Sequence, residues 1–245
     1  MTLFVHRICP FCCKAKAVLR ARAVPFHAVE VNPLTKAQIG WSKAWRKVPI
    51  AVFADGEVVH DSSAIVDAIL ARAPPDDDGA AAAFASADAR RWSAWATDEL
   101  ALYMYPNMTR TFAESRAALA YASSARGFSG LDAFLVQTVG ALGMSFAHSK
   151  IKQKYGIDDE RAALWARVDA WTAALDEGAA ARADGGGPFR ACGAAPDLGD
   201  VAVYGVLQAA AGLELYDEIA ARGGARAAEW LGAMEAALPP PVHVV

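Results

Sequence analysis

Three cysteines near the N-terminus are the residues best suited to chemistry. Cys9 and Cys12 are separated by two residues, and Cys13 follows directly. A strand-like segment, residues 3–7, precedes them and a helix-like segment, residues 10–23, follows, so Cys9 is expected at a helix N-terminus. Unpaired backbone N–H groups and the positive end of the helix dipole favour a thiolate there. The pattern indicates a nucleophilic or redox-active thiol.

Other uses of these cysteines fit the sequence less well. A structural zinc site needs four ligands, and no second pair of Cys or His has suitable spacing. Inert, buried thiols would not explain why three cysteines cluster at one helix start, although Cys13 alone is interpreted as a small core residue. The fourth cysteine, Cys192, lies far along the chain. This distribution favours a reducing compartment over a disulfide-stapled secreted fold.

Two further elements could hold a peptide ligand beside the thiol. Pro49 precedes a strand, where thioredoxin-like folds place a cis peptide bond that turns the Val48 N–H and C=O outward; an ordinary trans proline is the alternative. Asp61 and Ser62 open the next helix, where free amides suit a carboxylate and Asp61 suits an ammonium group. Simple capping by Ser62 or by the serine after it is the alternative there. Together with Cys9 these elements describe a receptor for glutathione.

The elements that must position these residues divide the chain in two. Residues 1–73 follow the order βαβαββα, with a hairpin signal at residues 55–56, which predicts a mixed four-stranded α/β sheet of thioredoxin-like type. Residues 74–83, acidic and rich in proline, are interpreted as a linker. Residues 84–238 are helical by period and composition, and residues 239–245 form a tail.

Several local expectations follow from the same patterns. The second helix of the first part is predicted over residues 34–44. Residues 134–148 form an apolar run, interpreted as a core helix because it is shorter than the roughly 20 residues that span a bilayer. Its Gly140 and Gly143 allow close helix approach, either within the chain or across a homodimer. Residues 197–200 match a helix capping box with a structural role.

Charge and composition exclude some classes of function. The 24 Lys and Arg and 27 Asp and Glu residues leave a formal net charge of −3, without the basic excess that nucleic-acid binding requires. The hydrophobic share of 55% suffices for a buried core. Met1 leads directly into the first strand. A longer precursor with an N-terminal targeting or membrane-anchoring segment is compatible with this start.

The ordered set of motifs resembles the membrane-associated prostaglandin E synthase type 2 family, which is glutathione transferase-like. The resemblance covers residues 2–220, and the blocks that carry it are residues 9–12, 29–33, 46–50, 61–63, 106–111 and 200–207. It implies a thioredoxin-like N-terminal domain followed by an all-α glutathione transferase-like C-terminal domain.

The resemblance also implies an activity and its residues. The family isomerises a prostaglandin endoperoxide, so the expected substrate is an apolar or lipid peroxide, with Cys9 as the reactive thiol, Cys12 beside it and Phe11 lining the substrate pocket. Glutathione would be held by Val48, Pro49, Asp61 and Ser62. Haem, with the glutathione sulfur as a ligand, is a second cofactor implied by the family. His6 departs from the family, which carries Tyr three residues before the reactive Cys; its imidazole could donate to the thiolate or act as a base.

Two other functions stay open on the residues alone. A glutaredoxin-like thiol-disulfide oxidoreductase would use both Cys9 and Cys12. A non-catalytic module would bind glutathione or haem without turnover. The helical second part argues against a pure glutaredoxin, because its added walls create a pocket for a larger apolar substrate.

Overall fold

A mixed four-stranded sheet begins the chain in the computed structural model, which describes residues 1–73, 82–180, 187–191 and 193–239. The strands are β1 (Thr2–Val5), β2 (His27–Glu30), β3 (Ile50–Val52) and β4 (Val58–His60), in the order β2-β1-β3-β4. β1 pairs in parallel with β2 and antiparallel with β3, and β4 pairs antiparallel with β3. Helices α1 (Pro10–Ala21) and α2 (Ser62–Arg72) accompany the sheet. The predicted thioredoxin-like α/β class is confirmed.

The helix predicted over residues 34–44 is wrong. Only a short 3-10 turn, Ala37–Ile39, forms there. The Asn32 side chain accepts hydrogen bonds from the backbone N–H groups of Leu34 and Thr35 at 3.0 and 3.2 Å, and this local turn competes with helix formation. Lys36 then adopts a left-handed conformation with φ of 53°, so no helix can run through it.

Helices make up the second part. They are α3 (Ala87–Trp95), α4 (Ala101–Met108), α5 (Phe112–Ala118), α6 (Gly130–Leu135), α7 (Ala141–Tyr155), α8 (Glu160–Ala180), α9 (Leu198–Leu207), α10 (Glu214–Arg222) and α11 (Gly224–Ala237). The π-helical turns Ala96–Leu100 and Val136–Gly140 join α3 to α4 and α6 to α7. Of the predicted linker, residues 74–81 lie outside the described residues, as do residues 240–245 of the tail and Cys192.

Helix α9 joins the two parts by lying directly on α1. A Cβ atom at Gly205 would lie 2.7 Å from the Cα of Lys14 and 2.8 Å from the Cβ of Ala17, so this contact requires glycine. The predicted capping box begins α9: the Asp197 carboxylate accepts from the Asp200 N–H at 3.0 Å, and the Asp200 carboxylate accepts from the Asp197 N–H at 3.1 Å. The interpretation of residues 197–200 as structural is thus supported.

The apolar run over residues 134–148 is not a core helix. It lies in the continuous helical segment Gly130–Tyr155, which is long and apolar enough to cross a membrane by length and composition alone. One face, with Val136 and Ala141, is buried, but Phe134 and Phe146 are 63% and 75% exposed. Because the run is apolar all round, its periodicity could not indicate which face meets the rest of the protein.

Candidate active site

Three chain segments meet beyond one end of the strands of the sheet. Phe4 of β1 is opposite Ile50 of β3, and Ile50 is opposite His60 of β4. Because these pairs are antiparallel, the end of β1, the start of β3 and the end of β4 lie at the same end of the sheet. The segments beyond this end carry the predicted site residues: Cys9 after β1, Val48 and Pro49 before β3, and Asp61 and Ser62 after β4.

Cys9 occupies the N-cap position of α1 and is half-buried. Pro10 follows in the first turn, where a backbone N–H is not needed. The Cys9 N–H donates to the His6 carbonyl at 3.1 Å, which fixes the approach of the chain to the helix. The backbone amides of Phe11 and Cys12 face the Cys9 sulfur. The sulfur is thus at the positive end of the helix, as the sequence predicts.

The pKa values of the two thiols of the pair are shifted in opposite directions. A hydrogen bond from the Cys12 thiol is the main cause that lowers the pKa of Cys9, and the Cys12 and Phe11 amides and the charge of Lys16 act in the same direction against burial. Cys12 is fully buried, and burial raises its pKa well above the ordinary value. Cys9 is therefore the more acidic thiol of the pair, and Cys12 is the thiol that donates to it.

His6 does not face the Cys9 sulfur. Its Nδ1 lies 4.0 Å from Glu30 Oε1 on β2, and its ring lies against the backbone of Val31. Burial lowers the pKa of His6 to about 4, so the imidazole is neutral at pH 7. In the described part of the chain no hydrogen bond joins His6 to Cys9 through its side chain. The expectation that His6 serves the thiolate directly is not supported by this geometry.

Three residues near the thiols were not identified from the sequence. Lys16 lowers the pKa of Cys9, and Tyr121 of the helical part interacts with the Glu30 carboxylate. Glu30 accepts a hydrogen bond from the Arg7 N–H at 2.9 Å, and burial raises its pKa. Lys16 could have been noticed because it follows Cys12 by four residues and so shares a helix face with it. Tyr121 has no signal in the sequence, since only tertiary packing brings it to β2.

The peptide bond between Val48 and Pro49 is cis. The pairing of β3 begins at Ile50, two residues later. Among the residues that the structure describes, no backbone hydrogen bond uses the Val48 N–H or C=O. These two groups are therefore available to an extended ligand at the site edge.

The start of α2 holds a buried hydroxyl without a partner. Asp61, with φ of 73°, is the N-cap, and its carboxylate accepts from the Ser63 N–H at 2.8 Å. The cap is therefore Asp61, where the sequence suggested a serine. Ser62 is only 1% exposed, and its Oγ has no hydrogen-bond partner within the described ranges. A buried hydroxyl without a hydrogen-bond partner destabilises the folded protein unless a ligand supplies the partner.

Phe11 is half-buried and packs against the main hydrophobic core. It does not line the cavity of about 670 Å³ that lies on another flank of α1. Its place in a substrate pocket stays a prediction.

Haem finds no support in these residues. No group of three or more His, Cys, Asp or Glu in the described part could hold a metal ion.

Comparisons with known proteins find similar proteins both for the first part of the chain and for most of its length. Residues 8–72 match the family model of the glutathione S-transferase N-terminal domain. The chain is 29% identical to prostaglandin E synthase 2 of Mus musculus and of Danio rerio, in each case over 89% of this chain and 66% of that protein. A glutathione S-transferase from Methylobacterium radiotolerans, in complex with glutathione sulfonate, shares the fold with a TM-score of 0.53 and 14% identity, over 97% of this chain and 94% of that one. The chain thus spans about two thirds of the length of these curated relatives.

Proposed function

We propose, on the premise that this chain is a relative of prostaglandin E synthase 2 with a glutathione S-transferase fold, that it is a glutathione-dependent isomerase of lipid endoperoxides. The observation that carries the proposal is the position of Cys9, half-buried at the N-cap of α1 with the buried Cys12 thiol in the first turn of the same helix, an arrangement that lowers the pKa of Cys9 and raises that of Cys12. A single activated thiolate at the mouth of a glutathione-type cleft is what a nucleophilic isomerase needs.

The residues of the cleft fit glutathione. The Val48 N–H and C=O could pair with its peptide backbone, and the amides that open α2 could take its α-carboxylate. Ser62 supports this fit, because its buried Oγ lacks a partner among the described residues. Asp61 offers a carboxylate for the α-ammonium group. Bound there, glutathione would place a second thiol beside Cys9.

The proposed reaction balances without an external oxidant or reductant. The Cys9 thiolate attacks one oxygen of the strained peroxide, the O–O bond breaks and the other oxygen becomes an alkoxide. A proton then leaves the carbon that bears the sulfur-bound oxygen, the C=O bond forms and the S–O bond breaks, which returns the electron pair to Cys9. The alkoxide takes up a proton, so the product is the ketone-alcohol isomer of the substrate.

A thiol-disulfide oxidoreductase is the second candidate. It is favoured by the spacing of Cys9 and Cys12, which have two residues between them at the start of α1, since a second thiol so placed could resolve a mixed disulfide. Both functions require thiols that stay reduced, and we place the protein in a reducing compartment on this ground.

Single cysteine variants separate the candidates. Cys9→Ser should abolish conversion of prostaglandin H2, measured by product chromatography with glutathione present, because the nucleophile is lost. Cys12→Ser should retain the isomerase reaction at a reduced rate but lose reduction of hydroxyethyl disulfide. Cys13→Ser is the matched control, because its thiol donates to the Arg7 carbonyl and not to Cys9.

The opposite pattern would decide against the proposal. If Cys12→Ser abolishes all turnover, the oxidoreductase is correct. If the unmodified protein retains glutathione but turns over neither substrate, the site is a binding module.

A further inference from the structure

A large cavity lies on the flank of α1 that faces β2. Its volume is about 670 Å³, within the usual range of small-molecule sites. Cys13, Lys16 and Arg20 line it from α1, at spacings that place them on one helix face. The opposite walls come from β2, from the end of α5 and from the segment after α9.

This cavity is separate from the proposed glutathione cleft. The residues of that cleft, Cys9, Val48, Asp61 and Ser62, are not among its lining residues. The cleft lies beyond the ends of β1, β3 and β4, whereas the cavity borders β2, which pairs with β1 on the side opposite β3. A ligand could therefore occupy the cavity while glutathione occupies the cleft.

The polar part of the lining is mainly cationic. Within the described part of the chain, neither Lys16 nor Arg7 forms an ion pair. Arg20 donates only to backbone carbonyls, those of Pro239 at 2.8 Å and Leu238 at 3.2 Å. Glu30 is the acidic residue among those that line the cavity. Three cations against one carboxylate leave an excess of positive charge.

Most of the remaining lining is apolar. Val5 and Ile8 line the cavity from the first strand and the loop after it, and Phe26, just before β2, and Ala28 of β2 line it from the other side. A pocket with apolar walls and a few convergent cations suits a ligand with a hydrocarbon body and one anionic end.

We propose that this cavity binds a single-chain amphiphile with one carboxylate headgroup, which Lys16 would hold while the chain lies against the apolar wall. This inference does not rest on the proposed isomerase function, since it involves a different cavity and needs no turnover. Lys16 would pair with the carboxylate because this side chain is partly buried and lines the cavity.

Dodecanoate tests this site by isothermal titration calorimetry on the full chain saturated with glutathione. Binding of one dodecanoate per chain is expected, with an affinity at least about tenfold above that of dodecanol, because a charge-assisted hydrogen bond is lost in the alcohol. Lys16→Met should weaken dodecanoate binding by about tenfold or more for the same reason. Lys43→Met, at an exposed lysine outside the cavity, is the charge control.

A second pair of variants tests the cavity itself. Ala117 is exposed and lines it, so Ala117→Trp should fill the space and abolish dodecanoate binding. Ala113→Trp, one helical turn earlier and outside the lining, is the control and should bind normally. The proposal is overturned if dodecanoate does not bind, if glutathione displaces it, or if Lys16→Met and Ala117→Trp bind it as well as their controls.

Discussion

At the scale of single residues, the site depends on two side chains in unusual surroundings, the Cys9 thiol and the Ser62 hydroxyl. Cys9 is stabilised as a thiolate by a neighbouring thiol, and Ser62 keeps a buried hydroxyl with no partner among the described residues. Both conditions are costly in an isolated protein, and both are useful if glutathione lies between them.

Ser62 gives a direct test of glutathione binding. Ser62→Ala should weaken glutathione binding about tenfold, since a hydrogen bond to a charged ligand contributes roughly 1.5–3 kcal/mol and solvent replaces part of it. Titration calorimetry measures the change. Ser63→Ala is the control, because that hydroxyl already accepts from Lys14 at 3.4 Å. Equal affinities in the two variants would exclude Ser62 as a ligand.

His6 predicts a pH dependence of stability. Burial lowers its folded-state pKa to about 4, below the ordinary 6.5, so the unfolded chain binds the proton more readily. The free energy of unfolding is therefore highest above about pH 6.5 and decreases as the pH falls toward 4. At pH 5 it should be about 2 kcal/mol lower than at pH 7. Urea unfolding at pH 7 and pH 5 measures it. Between pH 7 and pH 5, the free energy of unfolding of His6→Gln and of His6→Tyr should each fall by about 2 kcal/mol less than that of the unmodified chain. An unchanged pH dependence in these variants would contradict the lowered pKa of His6.

At the scale of elements, the sequence predicted those that follow a simple period. Residues of β1 alternate between half-buried and buried, α2 buries Ile65 and Ile69 one helical turn apart, and the capping box at Asp197 is a local pattern. The helix over residues 34–44 failed because the Asn32 side chain captures two backbone amides. The cluster of Lys16, Glu30 and Tyr121 depends on packing between the two parts, which no local pattern encodes.

Gly205 tests the contact between α1 and α9. Gly205→Ala should lower the free energy of unfolding by about 1–3 kcal/mol, because the new methyl group would overlap Lys14 and Ala17. Gly232 of α11 is the matched control, since a Cβ there has nothing within 4 Å. Gly232→Ala should instead stabilise by up to about 1 kcal/mol through helix propensity. Chemical denaturation of both variants gives the comparison, and a neutral or stabilising Gly205→Ala would contradict the described contact.

At the scale of the whole molecule, an apolar helix face is left uncovered. Its exposed residues are Leu131, Phe134, Val139, Leu142 and Phe146. Gly143 lies on this face and leaves open space above its backbone, which allows another helix to approach closely. We propose that a second copy of the chain covers the face, because a patch of this kind is uncommon on a monomer in water.

Sedimentation velocity tests the homodimer. The unmodified chain should sediment as a dimer, and Phe146→Glu should yield a monomer because it places a charge in the interface. Ala162→Glu, at an exposed position on α8, should remain dimeric. If the unmodified chain is monomeric and instead floats with anionic phospholipid vesicles, the face meets a membrane surface and the homodimer is wrong.

The acidity of Cys9 is the measurement on which the proposed chemistry depends most directly. Cys12 and Cys13 are buried, so in a Cys192→Ser background the rate of alkylation by iodoacetamide against pH reports the titration of Cys9. The pKa of Cys9 should lie well below the value of about 8.5 for a free cysteine, and Cys12→Ala should raise it by removing the donated hydrogen bond. A Cys9 pKa at or above that of a free cysteine would contradict the account.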